Sequence, residues 1–270
     1  MRLYGIIEMK SNSKEHLEKI LNEHEEELKR KYKDKIKIVS KAEPKKEDAW
    51  YYAFLEIEYI AEDLKSLIKF VSVESPAFLE IESDEDIEID SKELEELLSK
   101  ISSLIYTMKK LLNLHLVTYN EEGDSKWIEP ELAEDLCMAD EATGIMALLC
   151  EIDVAEIDDA YIKPLFNTVS GFYPFSYQIL DQKKFENYWV LAVKVFGTFK
   201  KPSTIFYTIT TFSPSEIEIH SPDKIKFEIS DLQDGLSVLS SVLATLKAMI
   251  ELKTQTRFQF DKHVDTQGNK

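Results

Sequence analysis

Nine cationic side chains crowd one short stretch of this 270-residue chain: Lys29, Arg30, Lys31, Lys33, Lys35, Lys37, Lys41, Lys45 and Lys46, against Asp34 and Glu43. Clustered ammonium groups are the chemistry of a docking patch for phosphate or for an acidic protein. The plainer reading is a solvated helix end and strand face, because lysines also complement a helix C-terminus. The second half of the chain has no run of this kind, which argues against a symmetric nucleic-acid saddle. A second cluster is acidic. Glu80, Glu82, Glu88 and Asp90 alternate with Leu79, Ile81, Ile87 and Ile89 and so share one sheet face, with Asp84, Glu85 and Asp86 at the turn between. Carboxylates so gathered could hold calcium, but the loop lacks the glycine and the spacing of an EF-hand. The reading preferred is a solvated face that protects a sheet edge; pairing with the basic segment, within or between chains, is a further option.

The soft metal ligands are His115, Cys137 and Cys150. Zinc sites come with close pairs such as C-x-x-C, and no two of these are close, so each is read as a lone structural residue. Gly123-Asp124-Ser125 is a turn without the strand–turn–helix setting that a hydrolase serine needs. The seven glycines form no phosphate-cradling loop. The sequence therefore names no catalytic residue, no metal ligand set and no cofactor, and leaves any ligand-binding residues unknown. Aromatic residues are the remaining signal. Trp50, Tyr51, Tyr52, Phe54 and Tyr59 follow one another along one strand, and Phe172, Tyr173, Phe175, Tyr177, Tyr188, Trp189, Phe196, Phe199, Phe206, Tyr207 and Phe212 crowd the second half. They can fill a core, since aromatics favour strands, line a cavity for an apolar ligand, or form a patch that joins two chains.

The elements that must position these groups follow from patterning. Leu3–Met9, Lys35–Val39, Trp50–Ile60, Leu67–Val73, Leu79–Ile81 and Ile87–Ile89 read as strands. Asn12 with Glu15 is a candidate capping box for a helix that carries Leu17, Ile20, Leu21, His24 and Leu28. A long helix over Lys92–Leu112 draws one apolar face from Leu94 to Leu112. The order then recurs. Ile145–Val154 reads as a strand, Asp158–Ser170 as a helical stretch interrupted by Pro164, and Phe175–Leu180, Tyr188–Phe196, Ile205–Phe212, Glu216–Ile219 and Ile225–Ile229 as strands. A last helix runs from a Ser230/Gln233 capping pair to Ile250.

Shifting the chain by 138 positions tests the recurrence. Ser75-Pro76 falls on Ser213-Pro214, Glu80-Ile81 on Glu218-Ile219, Ser83 on Ser221 and Ile87 on Ile225. In the helix Leu94, Leu98, Ser99, Ser102, Ser103, Thr107 and Lys109 also meet identical partners, which makes 13 identities in 35 positions. Ordinary residue usage would give about two or three. The expectation is an α+β chain built as a tandem duplication of a β-α-β(4–5)-α module. The repeats are 1–113 and 144–253, an acidic connector is 114–143, and 254–270 is a flexible tail. In each copy a curved antiparallel sheet would pack on its own long C-terminal helix. This order is similar to the helix-grip arrangement of START-type lipid carriers and to each half of the TATA-binding protein; the likeness is one of element order.

A net charge of −18 repels nucleic acid and anionic lipid at long range. Two cysteines make no disulfide framework. The opening residues have no signal-peptide run, and the longest apolar stretches, such as Gly144–Cys150, are too short to span a bilayer. The sequence thus reads as cytoplasmic, without membrane insertion or a nucleic-acid partner, and its Glu, Lys and Ile content resembles that of proteins from hot environments. The functional expectation is a non-enzymatic binding or assembly protein that forms a homo-oligomer. The alternative is a carrier holding a hydrophobic small molecule between sheet and long helix.

Overall fold

The computed structural model describes residues 1–83, 87–114, 143–167 and 172–267. The chain forms two compact units: Met1–Asp90 with Lys224–Ser241, and Ser91–Asp223 with Val242–Lys270.

In the first unit, β1 (Arg2–Ser11), α1 (Lys14–Tyr32), a 3-10 turn (Lys33–Lys35), β2 (Ile36–Lys41), the short β3 (Lys45–Glu47) and β4 (Trp50–Ile60) lead to α2 (Leu64–Glu74), β5 (Phe78–Glu82) and β6 (Ile87–Asp90). Alternation makes β1 a half-buried strand: Leu3, Ile7 and Ser11 are buried while Arg2, Glu8 and Lys10 face water. The N-cap of α1 is Ser13, one residue after the expected Asn12; its Oγ accepts from His16 N at 3.3 Å. The segment Leu67–Val73, expected as a strand, is the body of α2. Asp63 and Ser66 close a reciprocal capping box, with Ser66 N donating to Asp63 Oδ1 at 2.7 Å. Leu64, Leu67, Ile68 and Val71 then fall on one buried helical face. The helix stops at Ser75, which takes a left-handed conformation at φ 49 and donates its N–H to Val71 O.

The second unit repeats the order. It contains β7 (Gly144–Val154), α4 (Asp159–Asn167, with Pro164 inside it), β8 (Phe172–Lys184), β9 (Trp189–Phe199), α5 (Thr204–Phe212) and β10 (Glu216–Ser221). The expected strand Ile205–Phe212 is again a helix. Its β-branched residues suit a strand by propensity, but here they are satisfied within the helix, where Thr208 Oγ1 donates to Thr204 O and Thr210 Oγ1 to Phe206 O. α5 is buried at nearly every position, so it has no wet face and no readable 3.6-residue period. It ends at Ser213, left-handed at φ 48, as α2 ends at Ser75. At the start of β7, a Cβ on Gly144 would stand 2.4 Å from Ser221 O and 2.5 Å from the Phe199 ring, so only glycine fits.

The sheets have the order β2-β4-β1-β5 and β8-β9-β7-β10, with all pairings antiparallel. Numbered by their place in each unit, both read 2-3-1-4 with a helix after the first and third strands. This is the split β-α-β-β-α-β arrangement. It replaces the helix-grip picture: the fourth expected strand is in each case a helix, so each unit has two helices of its own among its strands. A separate ribbon pairs β6 with β11 (Lys224–Phe227), setting Glu88 opposite Lys226 and Asp90 opposite Lys224.

The two long helices, α3 (Ser91–Leu112) and α6 (Ile229–Gln267), do not simply cross the sheets that precede them. In the second unit α3 is tied to the α5–β10 loop and to β10 itself: Ser102 Oγ donates to Pro214 O and Ile219 N donates to Glu95 Oε1. In the first unit the same bonds recur with α6: Ser240 Oγ donates to Pro76 O and Ile81 N to Gln233 Oε1. Gln233 is therefore spent on β5, and not on the expected capping pair with Ser230. The expected connector 114–143 lies outside the described residues except for its ends. α6 also corrects one expectation: over Ile229–Lys253 it is long and apolar enough to cross a membrane by length and composition. Of its apolar residues Leu232, Leu236, Leu239, Leu243 and Leu246 are buried in protein, while Met249 and Leu252 are exposed.

Candidate functional site

A pocket with several polar and charged residues in its lining lies in the second unit, where the ends of α3 and α5 meet β7. It has a volume of about 230 Å³. The last turns of α3 supply Tyr106, Lys109 and Lys110, brought together by their i, i+3 and i+4 spacing, followed by Asn113 and Leu114. Glu151 and Asp153 are two apart on β7 and share one face, opposite the buried Cys150 and Ile152. Thr211, Phe212 and Ser213 come from the end of α5.

Lys109 organises this wall. Its Nζ donates to Thr210 O at 2.7 Å and Thr211 O at 2.8 Å. Those carbonyls close the last turn of α5, where helical acceptors have no partner and the dipole is negative, so an ammonium is the fitting cap. Burial pushes the Lys109 ammonium down to about 8, which still leaves it protonated at neutral pH. Among the described residues its third N–H has no acceptor. Lys110 lies over the Tyr106 ring at 4.5 Å. A hydrogen bond with the Tyr106 hydroxyl, followed by attraction to Glu151, holds its proton above the ordinary lysine range. Lys253 Nζ donates to Leu111 O at 2.6 Å and so neutralises the end of α3.

Ser213 stands apart. Its backbone N–H is used by Ile209 O, but among the described residues its Oγ is buried without a hydrogen-bond partner, in a residue 4% exposed. A buried hydroxyl without a partner costs about 1–3 kcal/mol. The pocket lining thus includes two ammonium groups, two carboxylates and the Tyr106 and Phe212 rings. Sequence reasoning met Lys109 and Ser213 only as members of the repeat, matched to Lys247 and Ser75. Glu151 and Asp153 carried no signal of their own.

The residues singled out from sequence fall elsewhere. The basic run is dispersed into ion pairs: Lys29 and Lys41 with Glu25, Lys31 with Glu74, Lys35 with Glu62 and Lys37 with Glu58. One lysine–aromatic contact of the segment recurs in the second half. At the tip of β3–β4 the Lys46 Nζ lies 5.9 Å from the centre of the Tyr51 ring, and at the tip of β8–β9 Lys184 lies 5.3 Å from that of Trp189, 138 positions on. Cys150 is buried and burial pushes its thiol up to about 12, which makes it a core residue. His115, Cys137, Gly123-Asp124-Ser125 and Asp84–Asp86 lie outside the described residues. Among the described residues no three His, Cys, Asp or Glu side chains are placed to hold a metal ion. Phe172, Phe199 and Phe206 are fully buried, as is Phe166, and Tyr59 stacks on Phe70 at 4.0 Å. The aromatics placed this deep are core filling.

A second titratable cluster sits in the first unit. The nearly buried Glu74 carboxylate accepts from Tyr32 OH at 2.6 Å and Lys31 Nζ at 2.8 Å, with His24 Nε2 at 3.6 Å. Burial, then the Glu74 hydrogen bond, raises the Tyr32 phenol far above its usual range. The cluster pins α1 to the end of α2.

Fold and site together define an α+β protein of two split β-α-β-β-α-β units, with a small polar pocket at the end of a long helix. The chain belongs to the MJ0538 family, which it matches over residues 3–255. No curated protein matches the chain, and no solved structure does.

Proposed function

We propose that the protein is a non-enzymatic binding protein, descended from a tandem duplication of one split β-α-β-β-α-β module with its long helix, and that it holds a small ligand in the pocket at the end of α3. The observation that carries the reading is the contrast between Lys109 and Ser213. Lys109, the group best suited to covalent or acid–base chemistry, has two of its three protons committed to the end of α5. The Ser213 hydroxyl, in a residue of the same lining, is buried without a partner among the described residues. That arrangement suits holding a ligand better than transforming one.

The duplication is supported by the shared strand order and by the paired bonds Ser102–Pro214 with Ser240–Pro76 and Glu95–Ile219 with Gln233–Ile81, each offset by 138. Self-association into a homo-oligomer is the second half of the proposal. It is supported by Ile60 and Phe78, which are 49% and 53% exposed on the outward face of the first sheet. Ligand binding is tested by titrating the full chain with small metabolites while following amide resonances of Phe212 and Ser213. Saturable shifts with no product formed are expected; turnover of the bound compound would remove the non-enzymatic part. Light scattering over a range of concentrations tests assembly, and a strict monomer throughout would end that part.

A further inference from the structure

We infer that the two halves of the chain, before and after residues 115–142, are obligate partners: each is completed by the long helix of the other, and they hold together without the peptide bonds that join them. The units themselves are composed by exchange. The first half's last strand, β6, ends at Asp90 in the first unit, and α3 begins at the next residue, Ser91, in the second. From the second half, β11 and the opening turns of α6 within Lys224–Ser241 belong to the first unit. α3 lies against β10 and α5. Its first residue is held by the second half as well, with Ser91 N donating to Asp223 O at 2.9 Å and Ser91 Oγ to Pro222 O. The bonds Ser102–Pro214 and Glu95–Ile219 then fix α3, and Ser240–Pro76 and Gln233–Ile81 fix α6. Each of these bonds joins one half to the other, and the shift of 138 turns the first pair into the second.

The ribbon of β6 and β11 carries an independent mark. It sets Ile87 opposite Phe227, Glu88 opposite Lys226 and Ile89 opposite Ile225. Moving every residue to its equivalent in the other half returns the same register, and Glu88 faces its own equivalent, Lys226. A residue that meets its own copy belongs to an isologous contact, the kind by which two identical chains pair. Here the copies have diverged to opposite charges, which identical chains cannot place there and which favours the cross-strand pair. The apolar surface committed to the exchange makes it obligatory. Leu94, Leu98, Ile101 and Ile105 of α3 and Leu232, Leu236 and Leu239 of α6 are all buried. A half on its own would present its helix stripe to water and lack the helix that ties its β5 or β10. The pocket at the end of α3 is a product of the same exchange: Tyr106, Lys109 and Lys110 come from the first half, and Glu151, Asp153 and Thr211 from the second.

To test this, a recognition site for a sequence-specific protease is placed within 115–142 of the full chain and cut. The cut protein should remain one particle holding both fragments in native mass spectrometry. Its unfolding becomes bimolecular, so each tenfold dilution should lower its apparent stability by about 1.4 kcal/mol, over and above any change in the uncut chain measured beside it. Fragments that separate while each keeps its folded circular-dichroism spectrum would overturn the inference, as would equal urea midpoints for cut and uncut chains at every dilution. Hydrogen exchange reads the same point in the uncut chain. Glu95→Ala should speed exchange at the Ile219 amide by about tenfold, the loss of one charge-assisted bond, and leave the Ile81 amide unchanged. Gln233→Ala should speed exchange at Ile81 and leave Ile219 unchanged. If Glu95→Ala acts on Ile81 instead, each helix packs on its own half and the inference ends; unchanged exchange at both amides in both variants ends it too.

Discussion

Replacing Ser213 with alanine should make the free protein more stable. The hydroxyl is buried and has no partner among the described residues, so the folded state bears its desolvation while the unfolded chain hydrates it. The corresponding cost is about 1–3 kcal/mol. Alanine keeps the Cβ, and both residues tolerate the left-handed φ of 48 about equally, so backbone strain cancels in the comparison. The vacated Oγ leaves a void smaller than a methyl group, which returns up to about 1 kcal/mol. The balance is a gain of about 1 kcal/mol. Urea unfolding followed by far-UV circular dichroism should move to a higher midpoint with an unchanged slope. Ser75→Ala is the internal control. That residue occupies the equivalent cap, but its Oγ reaches Ser72 O at 3.5 Å, so removing it should change stability by less than about 0.5 kcal/mol. A loss of 1 kcal/mol or more in Ser213→Ala would mean the hydroxyl has a partner, and the reasoning about the pocket would fall with it.

Lys109→Met should cost about 1.5–3 kcal/mol at neutral pH, because it removes two charge-assisted bonds to the end of α5; an unchanged urea midpoint would refute the capping role. The same variant reports a pH dependence. The Lys109 ammonium titrates near 8 when folded and near 10.5 when unfolded, so between those values the unfolded chain binds more protons and this residue's contribution to stability rises with pH. The stability gap between wild type and Lys109→Met should widen from pH 8 to 10, and a gap that narrows would contradict the burial of the amine. Cys150 acts with the opposite sign: its folded thiol holds a proton to about 12, so its contribution falls above pH 9, and Cys150→Ala should flatten that fall in alkaline urea melts. Tyr32→Phe leaves the nearly buried Glu74 carboxylate short of one donor and should cost about 1.5–3 kcal/mol by denaturant unfolding. Gly144→Ala drives a Cβ into Ser221 O and the Phe199 ring and should cost about 3 kcal/mol; a thermal midpoint equal to wild type would show that the sheet yields there.

Local pattern alone determined the elements that have one wet face. Alternation in Leu3–Met9 and Trp50–Ile60, and the long apolar stripe from Leu94 to Leu112, place β1, β4 and α3 within a residue or two of their ends, because a half-buried element must repeat its polarity at its own period. The 138-residue offset was likewise legible, since it needs only identities along the chain. Only the tertiary structure decided the rest. α5 reads as a strand because its β-branched and aromatic residues outweigh a periodicity that burial at most positions blurs, and α2 because Phe70, Val71 and Val73 favour strands by type although its buried residues share one helical face. Glu95 and Gln233 look like surface or capping residues until the bonds to Ile219 and Ile81 are seen. Lys109, Glu151 and Ser213 lie too far apart in the chain for any spacing rule to join them. They line one pocket because the ends of α3 and α5 and the strand β7 come together only once the chain has folded.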